Sequence, residues 1–269
     1  MPGINNTDER VDLLAIGAHP DDVELSCAGT MIAAKRSGKR TAIVDLTRGE
    51  LSTRGTPELR REETEHATQI MQLDHRLNLD IGDGNIELSQ ENVMKLVSAI
   101  RRFRPTVLIT PHFSERHPDH ERASELAHRA VFYSGLAKMP TTDEQGNAQL
   151  PQRPLLVLHY MQTFVFEPSI ILDVSSVFDA RLDAMKAYAS QFARPRLTNA
   201  RVGTEHETID DKHANEPETF LSQAGFYEWI EARARHYGMS IGVEFGEPFY
   251  SRQPIGTSNL FSLVTKRVA

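Results

Sequence analysis

Apolar runs and helix-like stretches alternate regularly over the first half of the 269-residue chain. The run VDLLAIGA at 11–18 is almost wholly apolar, as is typical of a strand covered on both faces. The stretch after it carries apolar residues at helical spacing and stops at Gly38, a common helix-ending residue. The alternation continues to residue 112. It predicts strands at 11–18, 40–47, 75–82 and 106–112, with helices at 22–37, 56–71 and 89–104 between them.

Strands that alternate with helices in this way favour a parallel sheet with right-handed crossovers. We therefore expect an α/β protein, a Rossmann-like three-layer sandwich with a mostly parallel sheet and a C-terminal elaboration. Ligands in such sheets bind at the carboxyl ends of the strands. That rule selects the loops at 17–24, 48–56 and 112–120 as candidates for function.

The pattern is less regular beyond Leu136. Two strand-like runs, LLVLHYMQTFVF at 155–166 and SIILDVS at 169–175, are followed by helix-like stretches. We expect these helices at about 176–192 and 218–237.

No clean linker interrupts the chain, so we expect one domain over residues 1–269. Residues 1–10 are expected to be a flexible N-terminus. The segment 138–154 has the composition of an exposed loop, and 193–218 is polar and charged. We expect 193–218 to be a loop on the side of the active site, and both segments to be able to line a substrate entrance.

Composition narrows the classes of function. A formal charge of −7, a pI near 5.9 and scattered basic residues argue against a nucleic-acid partner. No apolar run approaches the roughly 18 residues of a membrane span, and the N-terminus lacks a secretory pattern, so we expect a cytoplasmic protein with no membrane partner. The single cysteine, Cys27, excludes an internal disulfide and is expected to be buried on the first helix.

A histidine and two aspartates directly follow the first strand, in the motif AHPDDVE. Pro20 interrupts regular structure there, so a bent loop presents His19 and Asp22 at the strand end. Either aspartate could simply cap the next helix, and Asp21 with Glu24 resembles a capping arrangement. Capping does not require His19, which therefore favours a functional reading.

A second cluster follows the fourth predicted strand, in ERHPDHERASE at 115–125. His117 and His120 are three residues apart with Asp119 between them, and alone they could be a polar helix start with Asp119 as its cap. Two such clusters at one edge of a sheet are harder to dismiss. Two histidines and a carboxylate from two loops form the open ligand set that catalytic zinc uses.

The motifs AHPDDVE and RHPDH, with LTRGELSTRGTPELRREE between them, resemble the PIG-L/LmbE-like family of metal-dependent N-acetylglucosamine deacetylases. More narrowly they resemble the bacillithiol-pathway enzymes that deacetylate N-acetylglucosaminyl-malate. The likeness continues through ASELAHRAVFYSGL, AYASQF and EWIEARARHYGMSIGVEFGEPFYS. It implies hydrolysis of the N-acetyl group of an amino-sugar derivative, with Zn²⁺ or alternatively Fe²⁺ as cofactor, in a homo-oligomer.

Matched position by position, the resemblance implies metal ligands at His19, Asp22 and His120. Asp21 then corresponds to the general base and His117 to the histidine that stabilises the oxyanion. Either of these two residues could protonate the leaving amine.

The resemblance further implies that Asp119 orients His117 and that Arg60 lies on the substrate side of the site. Arg48 and Arg54 belong to the same loop region, and we expect all three arginines to be candidates for binding the carboxylates of a malate aglycone. Arg48 and Arg54 could equally be an ordinary solvated charge pattern.

Other readings of the ligand set stay open. Two histidines and one carboxylate also describe the facial triad of non-haem iron oxygenases. A sugar-binding module that kept the motif would bind the metal without catalysis. Within the hydrolases, the alternative substrates are another N-acetylglucosamine conjugate, a chitooligosaccharide, or a thiol conjugate cleaved by an amidase.

Overall fold

The computed structural model describes residues 9–192, 216–223 and 225–264. Within these residues, seven strands form one sheet in the order β3-β2-β1-β4-β5-β7-β6. The strands are β1 (Leu13–Gly17), β2 (Thr41–Asp45), β3 (His75–Asn78), β4 (Val107–Pro111), β5 (Leu156–Tyr160), β6 (Ile170–Asp173) and β7 (Gly246–Tyr250). The helices are α1 (Asp22–Arg36), α2 (Pro57–Met71), α3 (Gln90–Phe103), α4 (Pro118–Ser134), α5 (Phe178–Lys186) and α6 (Phe226–Ile241).

The first five strands are parallel and follow the order of a Rossmann-like sheet. Helices cover both faces, so the predicted three-layer α/β fold is confirmed. Residues that alternate along a strand point to opposite faces. Leu14 and Ile16 therefore pack with α3 and α4, whereas Leu13 and Ala15 pack with α1, α5 and α6. Cys27 is fully buried on α1, as expected.

Strand β7 was not predicted, and it lies between β5 and β6, antiparallel to both. Its sequence, GEPFY, contains Pro248, which cannot donate a ladder hydrogen bond and is unusual inside a sheet. Its Glu247 is a charged residue with only 2% of its surface exposed. Neither residue carries a strand signal, which explains why the pattern missed this element.

Two helices in the second half differ from the predicted bounds. The stretch expected at 176–192 forms a short 3₁₀ turn at Ser175–Val177 and the helix α5, which ends at Lys186. The helix expected at 218–237 begins only at Phe226, after Gly225 with φ 89°, and continues to Ile241.

The loop at 138–154 does not line a substrate entrance. It precedes β5, so it lies at the edge where the parallel strands begin, opposite to the edge that binds ligands. There Arg101 of α3 donates to Met139 O at 2.6 Å, and Ser98 donates to Gln149 Oε1 at 3.0 Å. The predictions for residues 1–8 and 193–215 lie outside the described residues. Among the described residues, no helix combines the length and apolarity that crossing a bilayer requires.

Candidate metal centre and active site

The loops after β1 and β4 meet because these two strands are neighbours in the sheet. The chain winds in opposite directions from this point, which is where open α/β sheets form their ligand crevice. The structure brings together the predicted ligand set, with one donor atom each of His19, Asp22 and His120 lying within 4.8 Å of one another. Asp22 and His120 are buried, and His19 is partly buried.

The aspartates after β1 do not cap α1 through their side chains. Asp21 stands at the N-cap position but its side chain makes no capping hydrogen bond. Its backbone has φ 115°, in the left-handed region that non-glycine residues rarely adopt. The Asp22 carboxylate instead accepts from the backbone N–H of His19 at 2.9 Å. The loop is therefore bent so that both carboxylates remain available to the site.

The ring of His19 is fixed by carboxylates on its far side. Its Nε2 lies 3.0 Å from Asp83 Oδ1 and 3.5 Å from Asp119 Oδ2, while its Nδ1 lies 3.6 Å from Asp22 Oδ2. Burial lowers the pKa of His19, but its bonds to Asp119, Asp22 and Asp83 outweigh burial and raise it well above the usual value. A metal-ligating histidine commonly donates its second ring N–H to a carboxylate in this manner.

Asp83 was missed in the sequence. It stands alone between two glycines, without the spacing of a metal motif, but it follows β3 at the ligand-binding edge. Burial raises the pKa of its carboxyl, and the bond to His19 with two backbone N–H bonds reverses this effect and holds it at about 2. The rule that ligands bind at the carboxyl ends of the strands also applies to the loop after β3, and applying it there would have identified Asp83.

Gln162 was also missed, and it contacts a predicted ligand directly. It follows β5 and is 5% exposed. Its Nε2 donates to Asp22 Oδ1 at 2.7 Å, and His120 Nε2 lies 3.2 Å from the same oxygen. The side chain of Gln162 thus fixes the orientation of the Asp22 carboxylate.

His117 and Asp119 differ from the expected arrangement. The Nδ1 of His117 accepts from the backbone N–H of Asp119 at 3.2 Å and so caps α4. The Asp119 carboxylate turns away, accepts from Gly84 N at 2.8 Å, and approaches His19. It is therefore the backbone of Asp119, and not its carboxylate, that orients His117. Because Nδ1 accepts, the neutral ring carries its proton on Nε2.

Asp21 and Arg60 form a buried ion pair. Arg60 Nη1 donates to Asp21 Oδ2 at 3.0 Å and to Pro20 O at 2.6 Å, and its Nη2 donates to Ser52 Oγ at 3.0 Å. Burial raises the pKa of the Asp21 carboxyl to about 7, with Arg60 lowering it and Asp22 raising it. Arg60 lines the cavity as expected, but its hydrogen bonds hold Asp21 and the turn before it.

Arg48 and Arg54 do not line the cavity, which corrects their predicted role in binding substrate. Arg48 is exposed and pairs with Asp80 at 2.8 Å. Arg54 is 9% exposed and donates to the carbonyls of Ser190 at 2.9 Å and Pro217 at 3.1 Å. It therefore ties the loop after β2 to later parts of the chain.

The cavity above these groups has a volume of about 300 Å³, within the range of small-molecule sites. Asp21 and His117 line it, and at its rim the exposed Arg116 lies over the ring of Phe220 at 5.1 Å. Arg116 was missed although it stands inside the second motif. Among the described residues, it has no carboxylate within ion-pair distance.

Fold and site together define an α/β protein with a candidate metal centre at the carboxyl edge of its sheet. Residues 14–131 match the family described as PIG-L: GlcNAc-PI de-N-acetylase. The chain is 29% identical over 190 residues to a diacetylchitobiose deacetylase of Thermococcus kodakarensis, covering 67% of this chain and 70% of that one. It is 25% identical over 236 residues to a probable N-acetyl-alpha-D-glucosaminyl L-malate deacetylase 2 of Bacillus cereus, covering 81% and 98%.

A solved structure, the conserved protein TT1542 of Thermus thermophilus, has 37% sequence identity and a TM-score of 0.75. The similarity covers 93% of this chain and 98% of that one. The chain contains a domain of the PIG-L family, whose named relatives are deacetylases, and this confirms the resemblance seen in the two motifs.

Proposed function

We propose that the protein hydrolyses the N-acetyl group of an N-acetylglucosamine derivative, with N-acetylglucosaminyl-malate as the substrate, and releases acetate and the free amine. The observation that carries this proposal is the convergence of His19, Asp22 and His120 beside the carboxylate of Asp21, at the base of one cavity. The relative in Bacillus cereus supports the choice of the malate conjugate.

The donor set fits a divalent transition metal. Two imidazole nitrogens and one carboxylate oxygen are the ligands of catalytic zinc sites that keep a position open, and Fe²⁺ accepts the same set. We propose Zn²⁺ as the cofactor, with Fe²⁺ as the alternative. Such a cation would supply Lewis acidity to the amide carbonyl and lower the pKa of a water molecule.

Asp21 is suited to act as the general base. It adjoins the ligand Asp22 in sequence, yet its own carboxylate is held by Arg60 and does not belong to the ligand set. A carboxyl with a pKa of about 7 can both accept and return a proton near neutral pH. A bound cation would lower this value and favour the ionised form that takes the proton of water.

His117 is suited to stabilise the oxyanion of the tetrahedral intermediate. Its Nδ1 is occupied by the Asp119 N–H, which leaves the Nε2–H as its donor, and the side chain lines the cavity. A preorganised donor of this kind typically contributes about 3–4 kcal/mol to the transition state.

Arg116 supports a substrate with an anionic aglycone. Its guanidinium is exposed at the rim of the cavity and is free of carboxylate partners among the described residues. A guanidinium forms two parallel hydrogen bonds to one carboxylate, as a malate group would require.

A chitooligosaccharide is the second candidate. Phe220 has 37% of its surface exposed beside the cavity, and an exposed aromatic ring can pack against a sugar face. The relative in Thermococcus kodakarensis is named as a diacetylchitobiose deacetylase.

Acetate release from three compounds tests the proposal, namely N-acetylglucosaminyl-malate, N-acetylglucosamine and a chitooligosaccharide. Each is assayed anaerobically, with and without chelator, because an oxygenase would require oxygen. We expect fastest release from the malate conjugate and its loss with chelator. Arg116→Ala should raise KM for that substrate about tenfold, whereas Arg48→Ala should leave it unchanged. Inactivity on all three compounds would reject the proposal.

We propose further that the enzyme is a cytoplasmic homo-oligomer. Leu260 and Phe261 near the C-terminal end of the described chain are 73% and 84% exposed, which supports an additional contact surface. Light scattering coupled to size-exclusion chromatography should give a mass above that of one chain, and cell fractionation should recover the protein in the cytoplasm. A monomer at micromolar concentration would contradict the assembly.

A further inference from the structure

Helix α1 is broken five residues after the ligand Asp22. Cys27 has φ −148° and ψ 22°, far from helical values near −63° and −42°. The break separates a short first segment, 22–26, from the rest of the helix. Interrupting a helix leaves backbone N–H groups on one side and carbonyls on the other without their usual partners.

A carboxylate from β7 accepts hydrogen bonds from the backbone N–H groups on the C-terminal side of the break. Glu247 Oε1 accepts from Gly29 N at 3.0 Å, and its Oε2 accepts from Thr30 N and from Thr30 Oγ1, each at 2.7 Å. It thereby acts as the N-cap of the second helical segment, where a negative charge is favourable. Gly29 admits this contact, because a Cβ there would lie 2.7 Å from Glu247 Oε1.

An arginine from α5 donates a hydrogen bond to a backbone carbonyl on the N-terminal side of the break. Arg181 Nη2 donates to Leu25 O at 2.7 Å, and its Nε donates to Glu247 Oε1 at 2.8 Å. Arg181 and Glu247 are each only 2% exposed. One buried ion pair therefore bonds to both segments of the broken helix.

The near segment carries part of the candidate active site. Asp22 is its first residue, Asp21 precedes it, and Leu25 both lines the cavity and donates its N–H to Asp21 O at 2.8 Å. The direction of this short segment therefore decides where the carboxylates of Asp21 and Asp22 point.

Stability alone is a weak reason for such a pair. The desolvation of two buried charges often cancels their attraction, and apolar residues of similar volume can be equally stabilising. We propose that Glu247 and Arg181 are positioning residues, which hold both sides of the break at Cys27 and so aim Asp21 and Asp22 at the metal and the substrate. This inference rests on the proposed function for the metal and the reaction.

Arg181→Met tests the inference against a matched control, Arg101→Met. Arg101 is 3% exposed and donates to the carbonyls of Ser134 at 3.0 Å and Leu136 at 2.8 Å, at the end of α4. Both variants should lose thermal stability. Only Arg181→Met should bind zinc about tenfold more weakly, by competition with a chromophoric chelator, the lower end of the loss caused by removing groups that orient ligands. Its kcat should fall about tenfold, with KM changed less than twofold.

Two milder variants keep the inference testable should Arg181→Met fail to fold. Glu247→Gln keeps the shape and removes the charge, and Thr30→Val removes one hydrogen bond to Glu247. We expect zinc binding to weaken about threefold or more in Glu247→Gln and less in Thr30→Val. Zinc affinity and kcat within twofold of wild type in all folded variants would overturn the inference.

Hydrogen exchange separates this inference from the proposed function. The amide of Leu25 should exchange faster in the metal-free Glu247→Gln and Arg181→Met proteins than in wild type, and at the wild-type rate in Arg101→Met. A wild-type protein that binds no zinc and releases no acetate would reject the proposed function only. Unchanged protection of Leu25 in the folded Glu247 and Arg181 variants would overturn the inference itself.

Discussion

The two loops of the candidate site share the tripeptide His-Pro-Asp and use it differently. In the first loop, carboxylates hold the ring of His19, and Asp21 pairs with Arg60 inside the cavity wall. In the second loop, the backbone of Asp119 holds His117, and the Asp119 carboxylate leaves the cavity for His19 and Gly84. Only the fourth positions, Asp22 and His120, have the same expected task. Identical residues therefore acquire different chemistry from the groups around them.

Removing a fourth-position ligand should have the largest effect. We expect His120→Ala to lose stoichiometric zinc and at least a thousandfold in kcat, because two remaining ligands hold a catalytic metal poorly. Metal analysis after desalting, together with acetate release, measures both. His128→Ala, a change on the same helix outside the ligand set, should keep its zinc. Full zinc content in the His120 variant would contradict the assignment.

Substitutions of the third residue of each His-Pro-Asp tripeptide, Asp21 and Asp119, should have different effects on kcat. Asp21→Asn should keep zinc and lose about a hundred- to ten-thousandfold in kcat, the range expected when a general base is removed. Asp119→Asn removes no group from the reacting centre and should lose about tenfold, mainly through the orientation of His19. Equal losses in the two variants at full zinc occupancy would show that the loops are functionally equivalent.

Substitutions of the first residue of each tripeptide, His19 and His117, should also differ in their effect on zinc content. His117→Ala should retain zinc and lose about a hundred- to thousandfold in kcat, as loss of one oxyanion donor does. His19→Ala should lose zinc, because His19 belongs to the candidate ligand set. Steady-state kinetics beside metal analysis distinguishes these outcomes. Loss of zinc in the His117 variant would instead make this residue a ligand.

Gln162→Leu should weaken zinc binding about tenfold to a hundredfold, because its amide orients Asp22. Gln152→Leu is the matched control, since Gln152 also donates one hydrogen bond, to Pro105 O at 2.8 Å, and has a buried, unpartnered Oε1. Chelator competition should detect weakening in the first variant only. Equal affinities would leave Gln162 as a packing residue.

The smallest effect concerns pH and the metal-free protein. Burial raises the pKa of Asp21 to about 7, so folded protein binds more protons than unfolded protein between about pH 4 and 7. Wild type should therefore lose a few degrees of Tm relative to Asp21→Asn as pH rises through this window.

The Asp119 carboxyl should show the opposite dependence. Burial raises its pKa, but the bond to His19 and the backbone N–H groups of Gly84 and Ile86 lower it overall. Wild type should lose Tm relative to Asp119→Asn as pH falls below about 4. Calorimetry of the three metal-free proteins checks both signs, and parallel pH curves would contradict the comparison.

The sequence was informative where a rule of topology joined distant residues. Parallel strands end at one edge, which was sufficient to expect the two motifs to meet there, and the resemblance to the family then implied His19, Asp22 and His120 as the ligands. Asp83 and Gln162 obey the same rule but stand alone in their loops, so no spacing distinguished them from ordinary polar residues. Strand β7 was not predicted because Pro248 and Glu247 are unusual in a buried strand. Its position depends on pairing with β5 and β6.

Three arginines were given a common role that the structure does not support, whereas Asp83 and Gln162 were missed. Arg48, Arg54 and Arg60 are close in sequence, but their side chains reach an exposed aspartate, two backbone carbonyls and the buried Asp21. Long side chains from one loop can point in any direction, and their charge alone predicts neither a common partner nor a common role. The direction of each arginine side chain depends on tertiary packing. The spacing of residues along the chain does not predict it.

The insertion of β7 between β5 and β6 has a consequence for synthesis on the ribosome. Among the described strands, β6 pairs only with β7, whose residues emerge more than seventy positions later. The nascent chain can therefore assemble the five parallel strands and both loops of the candidate site well before β7 joins the sheet. Glu247 is part of β7, so the break in α1 gains its carboxylate only after the five parallel strands have been made.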